Sequence, residues 1–226
     1  MRVNEIFYSL QGEGHHTGRA AIFVRLSGCN LACPFCDTDF SSFREMDEAE
    51  ILQAIHQLLP AAPSASASPS VPSVAVSQRP LPMIVLTGGE PTLQNTEPLI
   101  DLLHQEGFFV AMETNGTNPL PPNLDWSTVS PKGPVAFNEE GAKKRVVHLS
   151  QLSRPAMRCN ELKLVFTENC QPERFLDIEA DFYYLQPCDV GDEQRNQALI
   201  RQCVEYIKTH PLWRLSLQTH KLAGFK

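Results

Sequence analysis

The sequence predicts an α/β fold in which parallel βα units close into a full or partial barrel, and three observations carry that expectation. β-rich apolar runs alternate with segments of helical periodicity; polar and glycine-rich words follow successive runs; and 226 residues with 42% hydrophobic content suffice for one continuous core.

The runs are Ala20–Ser27, Met83–Thr87, Phe108–Thr114, Ser127–Ser130, Glu161–Phe166, Phe182–Gln186 and Trp213–Thr219. Between the first two, Ile51, Leu52, Ile55, Leu58 and Leu59 recur at helical spacing, and Leu99, Ile100, Leu102 and Leu103 do so after the second. A long late helix is expected from about Glu193 to Thr209, while Pro131 to Asn160 is ambiguous. Between Pro60 and Pro82, Pro, Ser and Ala dominate without either periodicity. This reads as a mobile insertion, at about 60–82, in a single domain spanning 1–226. The residues before it hold too few elements for an independent core.

Net charge −7 and a pI near 5.5 argue against a nucleic-acid partner, which needs clustered Lys and Arg, and favour a small-molecule substrate. MRVNEIFYSLQGEG has no apolar signal core, and no run of 18 apolar residues occurs, so neither export nor a membrane is expected. In a reducing cytoplasm, seven cysteines are poor disulfide candidates, which leaves metal binding as the reading for clustered ones.

CNLACPFCDT follows the first strand, GGEPT the second, NGT the third and PK the fourth. In a βα barrel all of these fall at the C-terminal mouth, where loops converge on one ligand. Each word alone is equally a turn signal; four in register propose a site.

Cys29, Cys33 and Cys36 form C-x3-C-x2-C. Structural zinc takes four protein ligands, and the neighbouring His15 and His16 fit no zinc spacing. Three thiolates on a [4Fe–4S] cubane leave one iron without a protein ligand, able to bind a reactant. Zinc or an incidental cysteine group is the alternative.

Cys29-Asn-Leu-Ala-Cys33-Pro-Phe-Cys36 resembles the signature of the radical S-adenosylmethionine superfamily, whose fold is a full or partial βα barrel. The resemblance implies that S-adenosylmethionine chelates the open iron and yields a 5′-deoxyadenosyl radical on reduction. Within the superfamily, LQGEG at 10–14, Arg25, CDT at 36–38, TGGEP at 87–91, ETNG, SPK, LQP and QTHK at 218–221 resemble the 7-carboxy-7-deazaguanine synthase family over nearly the whole chain. That implies a homodimer, an electron donor such as flavodoxin, and contraction of the pterin ring of 6-carboxy-5,6,7,8-tetrahydropterin with loss of ammonia, feeding queuosine-type bases.

The resemblance assigns Leu10, Gln11, Gly12, Arg25, Thr87 and His220 to the substrate. A guanidinium in the apolar run AIFVRLSG needs an anion, either a substrate carboxylate or an internal Asp or Glu. For Leu10–Gly12 the alternative is a Gly-rich turn, and for His220 a structural histidine. Thr38 is assigned to Mg²⁺, a hard cation that prefers oxygen ligands, although one hydroxyl is otherwise only a turn residue. Phe35, Cys36, Asp37, Gly89, Glu113, Ser130, Pro131, Lys132, Gln186 and Pro187 are assigned to S-adenosylmethionine. A Glu113–Lys132 ion pair is the structural alternative for those two. Glu13 stays open between the pterin N–H edge, a helix cap and a salt bridge. Cys203 reads as a small hydrophobe on a helix and Cys159 and Cys170 as strand-edge or loop residues, while Cys188, after Gln186-Pro187 at a strand end, is placed at the mouth. Lys226 departs from the proline common at that point in the family. Competing readings are an activase that places a glycyl radical on a partner protein, and a non-enzymatic iron–sulfur or zinc scaffold.

Overall fold

The structure is a computed structural model that describes residues 1–31, 33, 35–36, 38–39, 42–60, 80–132 and 158–226. Asp37, most of the insertion and most of the ambiguous stretch lie outside these residues.

Nine strands among the described residues form one sheet, in the order β3-β1-β2-β4-β5-β6-β7-β8-β9. They are β1 (Arg2–Leu10), β2 (Ala20–Leu26), β3 (Arg44–Glu45), β4 (Met83–Gly88), β5 (Val110–Thr114), β6 (Trp126–Val129), β7 (Arg158–Phe166), β8 (Glu179–Pro187) and β9 (Trp213–Leu215). From β2 to β9 every neighbouring pair is parallel, and β1 is antiparallel to both β2 and β3. No ladder joins β3 to β9, so the βα barrel is incomplete.

Helix α1 (Glu48–Leu58) starts in a capping box, with Asp47 accepting from Glu50 N–H and the Glu50 carboxylate accepting from Asp47 N–H, both at 2.8 Å. It buries Ile51 and Ile55, one turn apart. Helix α2 (Glu97–Gln105) buries Leu99, Ile100 and Leu103. Both pack on the outer face of the β2–β5 half, against Ile22, Val24, Ile84, Leu86, Val110 and Met112. Helix α3 (Glu193–Thr209) has the predicted bounds; Asp192 caps it, and Cys203 buries against β7, β8 and β9.

Two expectations change. β1 was absent from the predicted runs because Asn4, Glu5 and Ser9 interrupt its apolar pattern, yet its backbone pairs along Ala20–Leu26. The run expected at Trp213–Thr219 is a strand only to Leu215. Ser216 then accepts from Gly14 N–H at 3.0 Å, and Thr219 N–H donates to the Gly12 carbonyl at 3.0 Å. Helix α4 (Thr219–Ala223) follows, so this segment bridges the gap to the β1–β2 connection with turn hydrogen bonds in place of a ladder.

Candidate active site

Strand alternation decides what faces the concave side. Phe23 lies opposite Val85, Val85 opposite Ala111 and Ala111 opposite Trp126, and these side chains with Phe7 and Phe109 form an apolar floor. Two residues further along, the same faces carry Arg25 opposite Thr87 and Glu113 opposite Thr128. The polar groups thus rise one layer above the floor, towards the C-terminal ends of the strands.

They line one cavity of about 780 Å³. Leu10, Gln11, Gly12, Arg25, Thr87 and His220 all border it, as do Cys29, Cys33, Phe35, Cys36 and Thr38. So do Gly89, Glu113, Ser130, Lys132, Gln186 and Pro187. Pro131 is buried and does not reach the wall.

The loops at the mouth are tied through Glu90, which is only 1% exposed. Its carboxylate accepts from Thr114 Oγ1 at 2.6 Å, Asn115 N–H at 2.7 Å and Thr92 Oγ1 at 2.7 Å. Asn115 donates to Asn30 Oδ1 at 2.9 Å, and Asn30 donates to Thr117 Oγ1 at 2.7 Å, joining the cysteine loop to the end of β5. Backbone bonds from Gly89 N–H to the Leu26 carbonyl and from Glu90 N–H to the Gly28 carbonyl, both 2.8 Å, press the glycine loop against the cysteine loop. A Cβ on Gly89 would lie 1.8 Å from the Gly28 carbonyl oxygen, so only glycine permits this approach.

The three thiols border the cavity and are near enough to act on one another electrostatically. Burial raises the Cys29 and Cys33 pKa values, which marks groups that need a compensating cation to ionise. Among the described residues no group of His, Cys, Asp and Glu stands close enough to hold a single metal ion. A cubane takes one thiolate per iron, so three free thiols on one loop at the cavity supply the donor set that it needs.

Arg25 has the internal partner that was the alternative to a substrate anion: its Nε donates to Glu5 Oε1 at 2.9 Å. Its Nη1 is 3.5 Å from Thr38 Oγ1, which brings the residues expected at the substrate carboxylate and at Mg²⁺ side by side. Glu113 does not pair with Lys132. It accepts from Gln11 Nε2 at 2.9 Å and Thr87 Oγ1 at 3.4 Å, and lies 3.6 Å from Lys163 Nζ. Lys132 instead donates to Ser130 Oγ at 2.6 Å, and burial, with Lys163 nearby, lowers its pKa.

Lys163 and Glu13 form the buried pair at the centre, Nζ to Oε2 2.6 Å. Burial opposes the Glu13 charge, but Lys163 and hydrogen bonds from Gln218 and Gln186 outweigh it, holding the pKa at about 2. Burial also opposes the Lys163 charge, and Glu113, Glu13 and Glu161 outweigh it and raise its pKa. Sequence reading missed Lys163, although alternation along Glu161, Lys163 and Val165 within a predicted strand was the available signal. His220 stands against the β1–β2 connection, its Nδ1 placed 2.6 Å from where a Cβ on Gly12 would fall.

No family model matches the chain. It is 41% identical to the 7-carboxy-7-deazaguanine synthase of Bacteroides thetaiotaomicron, covering 100% of this chain and 98% of that one. It is 38% identical to that of Bordetella pertussis, covering 98% and 97%. The crystal structure of QueE from Escherichia coli superposes with a TM-score of 0.66 at 29% identity, covering 96% of this chain and 92% of that one. Near-complete coverage at these identities, together with the incomplete barrel and its mouth, means that the chain belongs to the 7-carboxy-7-deazaguanine synthase family of radical S-adenosylmethionine enzymes.

Proposed function

We propose that this chain contracts the ring of 6-carboxy-5,6,7,8-tetrahydropterin to 7-carboxy-7-deazaguanine with loss of ammonia, in queuosine and 7-deazapurine biosynthesis, and that the cavity at the mouth performs it. The observation that carries this reading is that Cys29, Cys33 and Cys36 border the same cavity as Arg25, Thr38 and Glu113. In a scaffold protein that convergence would have no use.

The residues divide along the cavity. Cys29, Cys33 and Cys36 would hold the [4Fe–4S] cluster, and Phe35, Asp37, Gly89, Ser130, Lys132, Gln186 and Pro187 would hold S-adenosylmethionine beside it. Bound together, the two supply the one-electron chemistry that starts the reaction. Arg25 receives the substrate carboxylate through its outer nitrogens, and Thr38 offers a hydroxyl to Mg²⁺ next to it. Gln11, Gly12, Thr87 and His220 border the space left for a flat heterocycle. Glu113 belongs with them as well as with the cofactor residues, because it is bonded to Gln11 and Thr87. Glu13, ionised and on the wall, is a hydrogen-bond acceptor for the N–H edge of the ring. The apolar floor of Phe23 and its neighbours keeps water from below.

The chain is a single domain in this reading, acting in the cytoplasm as a homodimer with a flavodoxin-type reductant. Among the described residues no helix is long and apolar enough to cross a membrane. The test is anaerobic turnover of reconstituted protein with S-adenosylmethionine, dithionite and the carboxylated tetrahydropterin. Formation of 7-carboxy-7-deazaguanine, lost together with iron in Cys33→Ala, is expected. Production of 5′-deoxyadenosine without that product would favour an activase, and production of neither would favour a scaffold.

A further inference from the structure

Glu5 stands between two cations. Its Oε1 accepts from Arg25 Nε at 2.9 Å, and its Oε2 accepts from Lys226 Nζ. The first pair follows from register, since Glu5 lies opposite Arg25 on β1 and β2. Lys226 arrives from the far end of the chain, held there by Ser9 Oγ donating to its carbonyl. Both cations also lie over the ring of Phe7, Arg25 Cζ at 5.6 Å and Lys226 Nζ at 4.5 Å from the centroid, and Phe7 stacks on Phe23 at 5.0 Å. Glu5, Phe7, Phe23, Arg25 and Lys226 all border the cavity.

Glu5 takes only Nε of Arg25 and leaves the outer nitrogens to a ligand, but it already balances the guanidinium charge, so a second carboxylate gains less from it. A ligand carboxylate that reaches Arg25 meets Glu5 as a like charge on the Nε side of the same guanidinium. Glu5 has another cation within reach on its opposite oxygen, and Lys226 needs no new position to take the whole charge. We propose that Lys226 is a positioning residue that draws Glu5 away from Arg25 when a carboxylated ligand arrives, so that Glu5 serves as a resident counterion exchanged between the two cations. The inference rests on the reading of Arg25 as the carboxylate receptor. It makes Lys226 a determinant of selectivity for carboxylated over uncarboxylated pterins without requiring it to touch the ligand.

The test is binding of two stable oxidised pterins, 6-carboxypterin and pterin itself, to the full-length protein by ligand fluorescence, with no reductant. Lys226→Met should weaken 6-carboxypterin about tenfold and leave pterin unchanged, whereas in a Glu5→Gln background the same change should cost less than about twofold. Lys226→Arg should restore binding. Equal losses in both backgrounds would mean that Lys226 acts on the ligand or on tail packing directly, and no loss in either would mean that it does nothing; both overturn the exchange. A separate arm isolates the underlying reading. If Arg25→Ala binds 6-carboxypterin as tightly as the unaltered protein does, Arg25 is not the receptor, whatever Lys226 does.

Discussion

Lys163 Nζ lies 2.6 Å from Glu13 Oε2 and 3.6 Å from Glu113 Oε1, so one buried ammonium holds carboxylates from the β1–β2 connection and from the end of β5. Side-chain exposure is 7% at Lys163 and 16% at Glu13, low enough for the pair to be worth more than a surface bridge. Lys163→Met should therefore cost about 3–5 kcal/mol in urea unfolding, as expected when one partner of a buried pair is removed. The pH dependence gives a sharper check. Glu13 has its pKa lowered from 4.5 to about 2, so its contribution is complete above pH 4.5 and is lost as pH falls towards 2. Lys163→Met should flatten stability across that window, and an unchanged slope between pH 4.5 and 2 would show that Lys163 does not hold Glu13 ionised.

Gly89→Ala should separate the glycine loop from the cysteine loop, because the added Cβ meets a backbone oxygen at 1.8 Å, and backbone cannot rotate away as a side chain can. The expected result is S-adenosylmethionine affinity at least about tenfold weaker by equilibrium dialysis, with a lower Tm, in line with about 1–3 kcal/mol for overpacking. Normal affinity with normal Tm would place the cofactor elsewhere.

Arg25→Ala and Thr38→Ala should fail differently, although the two side chains are 3.5 Å apart. Thr38→Ala removes one oxygen ligand that water can replace, so its turnover should recover in part at higher Mg²⁺ concentration. Arg25→Ala should lose about 2–5 kcal/mol in kcat/KM and show no such recovery. Its fold should survive, because Glu5 keeps Lys226 as a partner. Cleavage of S-adenosylmethionine without substrate should persist in both. Equal rescue of the two by Mg²⁺ would refute the division of roles.

Deleting Pro63 through Arg79 should leave turnover and KM largely intact. Its flanks are anchored independently, by Ile51 and Ile55 of α1 on one side and by Met83 onward in β4 on the other. Shortening a low-complexity connection changes closure entropy only logarithmically where the segment orders nothing. A several-fold rise in KM would mean that the segment covers the mouth.

The sequence was legible wherever the determinant is local. The cysteine spacing, the words at strand ends and the helical repeat in α3 each depend on neighbours within a few residues, and the structure sets Cys29, Gly89, Glu113 and Gln186 around one cavity. β1 reads in the sequence only as a short strand-like start, because its order comes from pairing with β2 rather than from its own pattern. Pro131, between the cavity-lining Ser130 and Lys132, is itself buried away from the cavity, which its place in the SPK word does not reveal.

By itself the sequence determined the α/β class, the three-thiol loop and the family resemblance, since periodicity, spacing and motif order are properties of the chain alone. Only the tertiary structure decided which charges meet. Glu5 reaches Arg25 through a cross-strand register and Lys226 through the returning tail, while Lys163 finds Glu13 across 150 positions of sequence. A buried charge takes whichever opposite charge the fold brings within a few ångströms, and that distance follows from register, strand parity and the path of the tail, none of which a residue's sequence neighbours encode.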